Sequence, residues 1–175
     1  MNDLLSRSFG QNRNYVDLKK DTNRGDIELG DTAAGDSAGG EVDMTRFFDE
    51  VGVIKNEMEQ IKQFLAKVQE AHEETKTVHR AQAMKSLRSR MDADISQVTK
   101  LAKSIKLKLE ELDKANSANR RVRGCEEGTP TDRTRTSITS TLRKKLKDLM
   151  GEFQILRQKI MGEYKETVER RYVPP

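Results

Sequence analysis

Residues 131–172 read TDRTRTSITSTLRKKLKDLMGEFQILRQKIMGEYKETVERRY, and this stretch decides the fold. Its apolar residues Ile138, Leu142, Leu146, Leu149, Phe153, Leu156, Ile160, Tyr164 and Val168 recur in steps of three and four, the repeat that lines one face of an α-helix. Between them stand Arg143, Lys144, Lys145, Lys147, Asp148, Glu152, Arg157, Lys159, Glu163, Lys165 and Glu166, so only one side is suited to burial. At 1.5 Å per residue such a helix runs roughly 50–60 Å. Most helical stability in a protein comes from packing an apolar face, so partners of similar length are required.

The preceding sequence supplies two. Phe47, Val51, Ile54, Met58, Ile61, Leu65, Val68, His72 and Thr75 alternate steps of four and three, a heptad seam that packs helix on helix. Phe48 and Phe64 widen the stripe beyond a two-stranded seam, which calls for a second neighbour. Asp43 and Thr45 are N-cap types, which places this helix at about 44–77. Met84, Leu87, Met91, Ile95, Val98, Ala102, Ile105, Leu109 and Leu112 define the next at about 82–116. Its four-residue steps from Leu87 through Met91 to Ile95 form a stutter, which relaxes a left-handed supercoil and predicts a straighter stretch. Only Thr77 to Ala81 connects the two, so they are antiparallel neighbours. Ser117 to Pro130 forms a longer loop, and Pro130 with Thr131 ends it and caps a third helix at about 131–171. The expectation is an all-α, antiparallel up-down-up three-helix bundle over residues 43–172 behind a disordered N-terminal tail.

Composition agrees with one small domain carrying polar extensions: 175 residues, 34% hydrophobic and 35% charged, with no Trp. Residues 1–42 hold Gly10, Gly25, Gly30, Gly35, Gly39 and Gly40 among scattered Asp and Asn, which reads as a flexible acidic tail. Within it, Met1 to Phe9 and Asn14-Tyr15-Val16-Asp17-Leu18 are either docking peptides that fold on a partner or plain terminus. The single cysteine, Cys125, excludes an intramolecular disulfide, fits a reducing compartment and reads as an incidental loop thiol. The start lacks the apolar core of a signal peptide, and no run approaches the roughly 18–20 apolar residues of a membrane-spanning helix. The chain is therefore expected to be soluble, with membrane attachment only through a partner or through sequence it lacks.

Catalysis is not indicated. His72-Glu73-Glu74-Thr75-Lys76 begins like a zinc-protease helix, but Lys76 stands where a second histidine ligand is needed. His72 lies on the core stripe instead, as a hydrogen-bonded packing residue, and His79 caps or follows the helix end. No glycine-rich phosphate loop is present. Adjacent acids such as Glu73 with Glu74, or Glu110 with Glu111, point to different sides of a helix. No enzyme, cofactor or metal site is expected.

Charge is unevenly spread at a net +4. Arg80, Lys85, Arg88, Arg90, Lys100, Lys103, Lys106 and Lys108 make the second helix basic, and Arg133, Arg135, Arg143, Lys144, Lys145 and Lys147 do the same for the start of the third. Glu50, Glu57, Glu59, Glu70, Glu73 and Glu74 make the first acidic. Three readings stand: ordinary surface charge, a docking face for an acidic helix, or a nucleic-acid or anionic-membrane surface. Against nucleic acid, almost no aromatics lie among the basic residues to stack on bases.

Several words are more specific than their periodicity. They are Met1-Asn2-Asp3-Leu4-Leu5, Asn14-Tyr15-Val16-Asp17-Leu18-Lys19-Lys20, His72-Glu73-Glu74-Thr75-Lys76, Ala83-Met84-Lys85-Ser86-Leu87-Arg88 and Lys108-Leu109-Glu110-Glu111-Leu112-Asp113-Lys114-Ala115-Asn116. To these are added Asp132-Arg133-Thr134-Arg135-Thr136, Leu142-Arg143-Lys144-Lys145-Leu146-Lys147-Asp148-Leu149-Met150 and Glu163-Tyr164-Lys165-Glu166-Thr167-Val168-Glu169-Arg170-Arg171-Tyr172. Through them nearly the whole chain resembles the N-terminal half of plant plasma-membrane syntaxins, the Qa-SNARE family, and within it the cytokinesis branch.

The resemblance implies an Habc domain, a three-helix bundle that folds back on the family's SNARE helix through its second and third helices and so restrains membrane fusion. It also implies an SM-class regulator that recognises the bundle and a short N-terminal peptide, whose place Asp3, Leu4 and Leu5 occupy. The expected contacts to SNARE helices are Lys100, Lys103, Lys106, Arg143, Lys144 and Lys147, on the cytosolic face of the plasma membrane or endomembranes. The family's SNARE motif and membrane anchor would follow Tyr172, where this chain has only Val173-Pro174-Pro175. The expectation is thus a regulatory domain of vesicle docking and exocytosis, with a truncated product that keeps only the bundle as the alternative.

Overall fold

The computed structural model describes residues 40–171, and over them the chain forms three helices: α1 (Gly40–Thr75), α2 (Ala81–Asn119) and α3 (Pro130–Arg171). The tail, with Asp3, Leu4, Leu5 and both short clusters, lies outside the described residues, as does the end from Tyr172.

Side-chain bonds fix the directions. Glu57, midway along α1, accepts from Ser104 at 3.0 Å, while Glu74 near its end meets Arg90 at 2.8 Å. The partners run in opposite order, so α1 and α2 are antiparallel. Across to α3, Asn116 meets Thr139 at 3.0 Å while the Arg88 guanidinium lies 4.1 Å from the Tyr164 ring centre. Here too the order reverses, and α3 therefore runs parallel to α1.

The heptad seam of α1 forms the centre: Phe47, Val51, Ile54, Met58, Ile61, Leu65 and Val68 are all buried. Leu87, Met91, Val98, Ile105, Leu109 and Leu112 face them from α2, and Leu142, Leu149, Phe153 and Leu156 from α3. Removing each such side chain from water contributes about 1.5–3 kcal/mol. Phe48, expected to meet a second neighbour, is instead 44% exposed and packs edge-on against Phe47, with ring centres 5.6 Å apart.

Both ends of α3 depart from the apolar stripe. Tyr164 and Val168 are exposed, although their spacing continues the row. From Leu156 the row advances only in fours, through Ile160 and Tyr164 to Val168, and each such step turns about 40° past a full helical circle. The stripe thereby drifts off the core. At the other end the buried row is polar: Asp132, Arg135 and Thr139.

The start of α3 also corrects the expected cap. Thr129, not Thr131, takes the N-cap role: its Oγ1 accepts from the Asp132 N–H at 3.4 Å and donates to the Glu126 carbonyl at 2.7 Å. Pro130 then occupies the first helical position, where a missing N–H costs nothing. The Asp132 carboxylate reaches back to accept from the Gly128 N–H at 3.0 Å, and Gly128 turns the loop at φ +85°, a conformation that glycine adopts without strain.

Candidate interaction surface

The three seams between helices are closed by different chemistry. Between α1 and α2, Glu57 binds both Ser104 and Lys108, and Glu74 binds Arg90. Between α1 and α3, His72 Nε2 lies 2.6 Å from Glu163 Oε2, an ion pair when the imidazole is protonated. Beside it, Lys159 Nζ stands 3.9 Å from Glu73 and 4.0 Å from Glu163. A bond from Lys76, with Lys159 and His72 nearby, holds the Glu73 carboxyl below its ordinary range.

The seam between α2 and α3 is bridged at its ends, by Asp113 with Arg143 and by Arg88 stacked on Tyr164. Helical spacing puts Ile95, Thr99 and Lys106 on the flank of α2 that carries Arg88 and Asp113. Lys147, Met150, Gln154, Arg157 and Met161 share the corresponding flank of α3 with Arg143. Ile95 and Met150 are half-buried, while Lys106, Lys147, Gln154 and Met161 are exposed. Two helices packed side by side leave a groove along their seam, and this one carries half-buried Ile95 and Met150, exposed Lys106 and Lys147, and Arg143 paired with Asp113.

The six cations singled out from sequence divide into two sets. Lys106, Arg143 and Lys147 border this groove. Lys100 and Lys103 stand on the outward face of α2, and Lys144 on that of α3; all are exposed. Each step of three from Lys100 through Lys103 to Lys106 turns about 60° back around the helix, but which of them lies toward α3 is set by the bridges at Asp113 and Arg88, which the sequence does not show.

A cleft of about 400 Å³ opens at the loop end of the bundle, lined by Arg46, Phe47, Glu50, Ala115, Cys125 and Arg135 among others. The Cys125 thiol, in the loop between α2 and α3, is buried there. Arg135 crosses the bundle at this level, its guanidinium 4.9 Å from the Phe47 ring centre, and Arg120 binds Asp132 at 2.7 Å. Arg120 and the Gly128 N–H together hold the Asp132 carboxyl below its ordinary range. Among the described residues no group of three or more His, Cys, Asp or Glu could hold a metal ion, and no helix is long and apolar enough to cross a membrane.

Comparison with known proteins places this bundle. The syntaxin family model matches residues 41–173. Syntaxin-111 of Oryza sativa subsp. japonica is 49% identical over 175 residues, covering 98% of this chain and 55% of that protein. Syntaxin-related protein KNOLLE of Arabidopsis thaliana is 47% identical over 177 residues, covering 98% of this chain and 54% of that protein. The chain thus spans about half the length of the curated relatives it matches. Among solved structures, a chain of the Unc18-syntaxin 1 complex from Monosiga brevicollis superposes with a TM-score of 0.66 at 20% identity. That match covers 93% of this chain and 70% of the other, and shows the shared fold.

Proposed function

The chain belongs to the syntaxin family, and from that premise we propose that it is a regulatory binding module of vesicle docking and fusion. Its role is to hold helical SNARE segments without catalysing a reaction. What supports this reading is the seam between α2 and α3, along which Ile95 and Met150 are half-buried and Lys106, Arg143 and Lys147 are exposed. An amphipathic helix with an acidic flank fits such a groove, seating its apolar face and meeting the cations with its carboxylates. Partners of this kind are the SNARE helices of a syntaxin and its cognate SNAREs.

A second partner is an SM-class regulator. The support is the match to a syntaxin from a complex with Unc18, and Asp3, Leu4 and Leu5 are the proposed tail contacts. The cytosolic face of the plasma membrane or endomembranes, in exocytosis and cytokinesis, is the proposed place of action.

Titrating an acidic SNARE-helix peptide into the chain tests the reading. Reversal of Lys106, Arg143 and Lys147 to Glu weakens binding at least about tenfold, and the same reversal at Lys100, Lys103 and Lys144 weakens it less. Equal losses from both sets indicate general charge attraction in place of a groove. Unchanged binding in both sets removes the basic surface from the account.

A further inference from the structure

We propose that the distal part of α3, residues 157–171, is a detachable strap latched by the His72–Glu163 contact, and that it undocks while the rest of the bundle stays folded. Beyond Leu156 the apolar hold on α3 thins to Ile160, which is half-buried. Leu156 is its last buried residue, no described residue from Arg157 to Arg170 is buried, and Met161, Tyr164 and Val168 are exposed. Facing this segment, α1 still buries Val68, Ala71 and His72, and α2 still buries Leu87.

Polar contacts take over where the apolar row ends. Glu163 meets His72 at 2.6 Å, Lys159 lies 3.9 Å from Glu73, and Arg88 stacks on Tyr164 at 4.1 Å. The docked state also leaves His72 Nε2 and Lys159 Nζ shut away from water without a well-directed hydrogen bond, although each lies within 4.0 Å of Glu163. Undocking hydrates both atoms, so their desolvation cost opposes the latch. A segment held by a few polar contacts against such a cost opens locally, below the free energy of global unfolding. The close approach of buried His72 to half-buried Glu163 is then the main restraint: the other interhelical ion pair of the segment, Lys159 with Glu73, is looser at 3.9 Å, and Lys165 with Glu169 and Arg170 with Glu166 lie within α3 itself and are exposed.

Hydrogen–deuterium exchange of the full chain, read by mass spectrometry, tests this. In the unaltered protein, amides of residues 157–171 exchange faster than those of 139–156. His72→Ala and Glu163→Gln each speed the distal segment by about tenfold and leave 139–156 unchanged, and the double variant is no faster than either single one. Glu166→Gln, on the exposed side of the same segment, changes nothing. Glu163 is only half-buried, so its variant keeps the fold and the test remains decisive should His72→Ala destabilise the whole bundle. Distal protection equal to that of 139–156, or acceleration by Glu163→Gln spread along all of α3, overturns the proposal. Additive effects of the two substitutions overturn the latch.

Discussion

Asn116 of α2 donates from Nδ2 to the hydroxyl oxygen of Thr139 on α3 at 3.0 Å, with both side chains buried. The Oδ1 of the same amide accepts from Arg135 at 3.3 Å, and the Thr139 hydroxyl donates to the Arg135 carbonyl at 2.8 Å. Apolar rows tolerate sliding by a turn; this network does not, because a shift leaves buried polar atoms without partners. It therefore fixes the register of α3 against α2, and with it the alignment of Lys106 opposite Lys147.

Thr139→Val keeps the shape and removes the acceptor of Asn116. The bundle loses about 1–3 kcal/mol, the cost of a buried donor left unmet, measured as a lower urea midpoint at unchanged slope. A loss below about 0.3 kcal/mol shows that water or another group satisfies Asn116.

Leu149 and Ile155 lie on one helix, yet their exposures are 2% and 62%. Leu149→Ala costs about 2–5 kcal/mol in thermal or chemical unfolding, and Leu149→Asp abolishes the folded bundle. Ile155→Ala stays within about 0.5 kcal/mol of the parent. Comparable losses at the two positions contradict the assigned core face.

Gly128 has φ +85°, and a Cβ built there meets nothing within 4 Å. Gly128→Ala is therefore penalised by backbone conformation alone, about 1–2 kcal/mol. Thr129→Ala removes the cap of α3 at about 1 kcal/mol. Equilibrium unfolding of both variants checks the loop and cap together.

Arg120 and the Gly128 N–H lower the Asp132 carboxyl relative to its unfolded value. A carboxylate depressed by folding stabilises fully above its unfolded pKa, about 4, and loses that stabilisation as pH falls through the lower folded value. Urea stability therefore declines below about pH 4. Asp132→Asn is less stable than the parent at neutral pH, and the two curves converge in acid. Parallel curves throughout argue against a charged Asp132 in the cap.

Much of this molecule is written in spacing. The four-three alternation from Phe47 to Val68 reads directly as a buried seam, and the few residues between Thr75 and Ala81 leave only an antiparallel turn. Other features escaped for physical reasons. Asp132, Arg135 and Thr139 look like surface residues until their mutual bonds are seen, because polar burial depends on partners from other helices. Tyr164 and Val168 fit the stripe locally but drift off it by accumulated rotation. The six cations were legible as a basic surface. Their division between groove and outward faces needed the position of the neighbouring helix, given by Asp113 with Arg143 and by Arg88 with Tyr164. Asp3, Leu4 and Leu5 lie outside the described residues.

Amide chemical-shift mapping of the full chain, titrated with an acidic SNARE-helix peptide, tests the groove most directly. Saturable shifts are expected along Ile95, Thr99 and Lys106 of α2 and along Arg143, Lys147, Met150 and Gln154 of α3, with α1 unaffected apart from its ends. Shifts centred on α1, or spread over every lysine without saturation, contradict it.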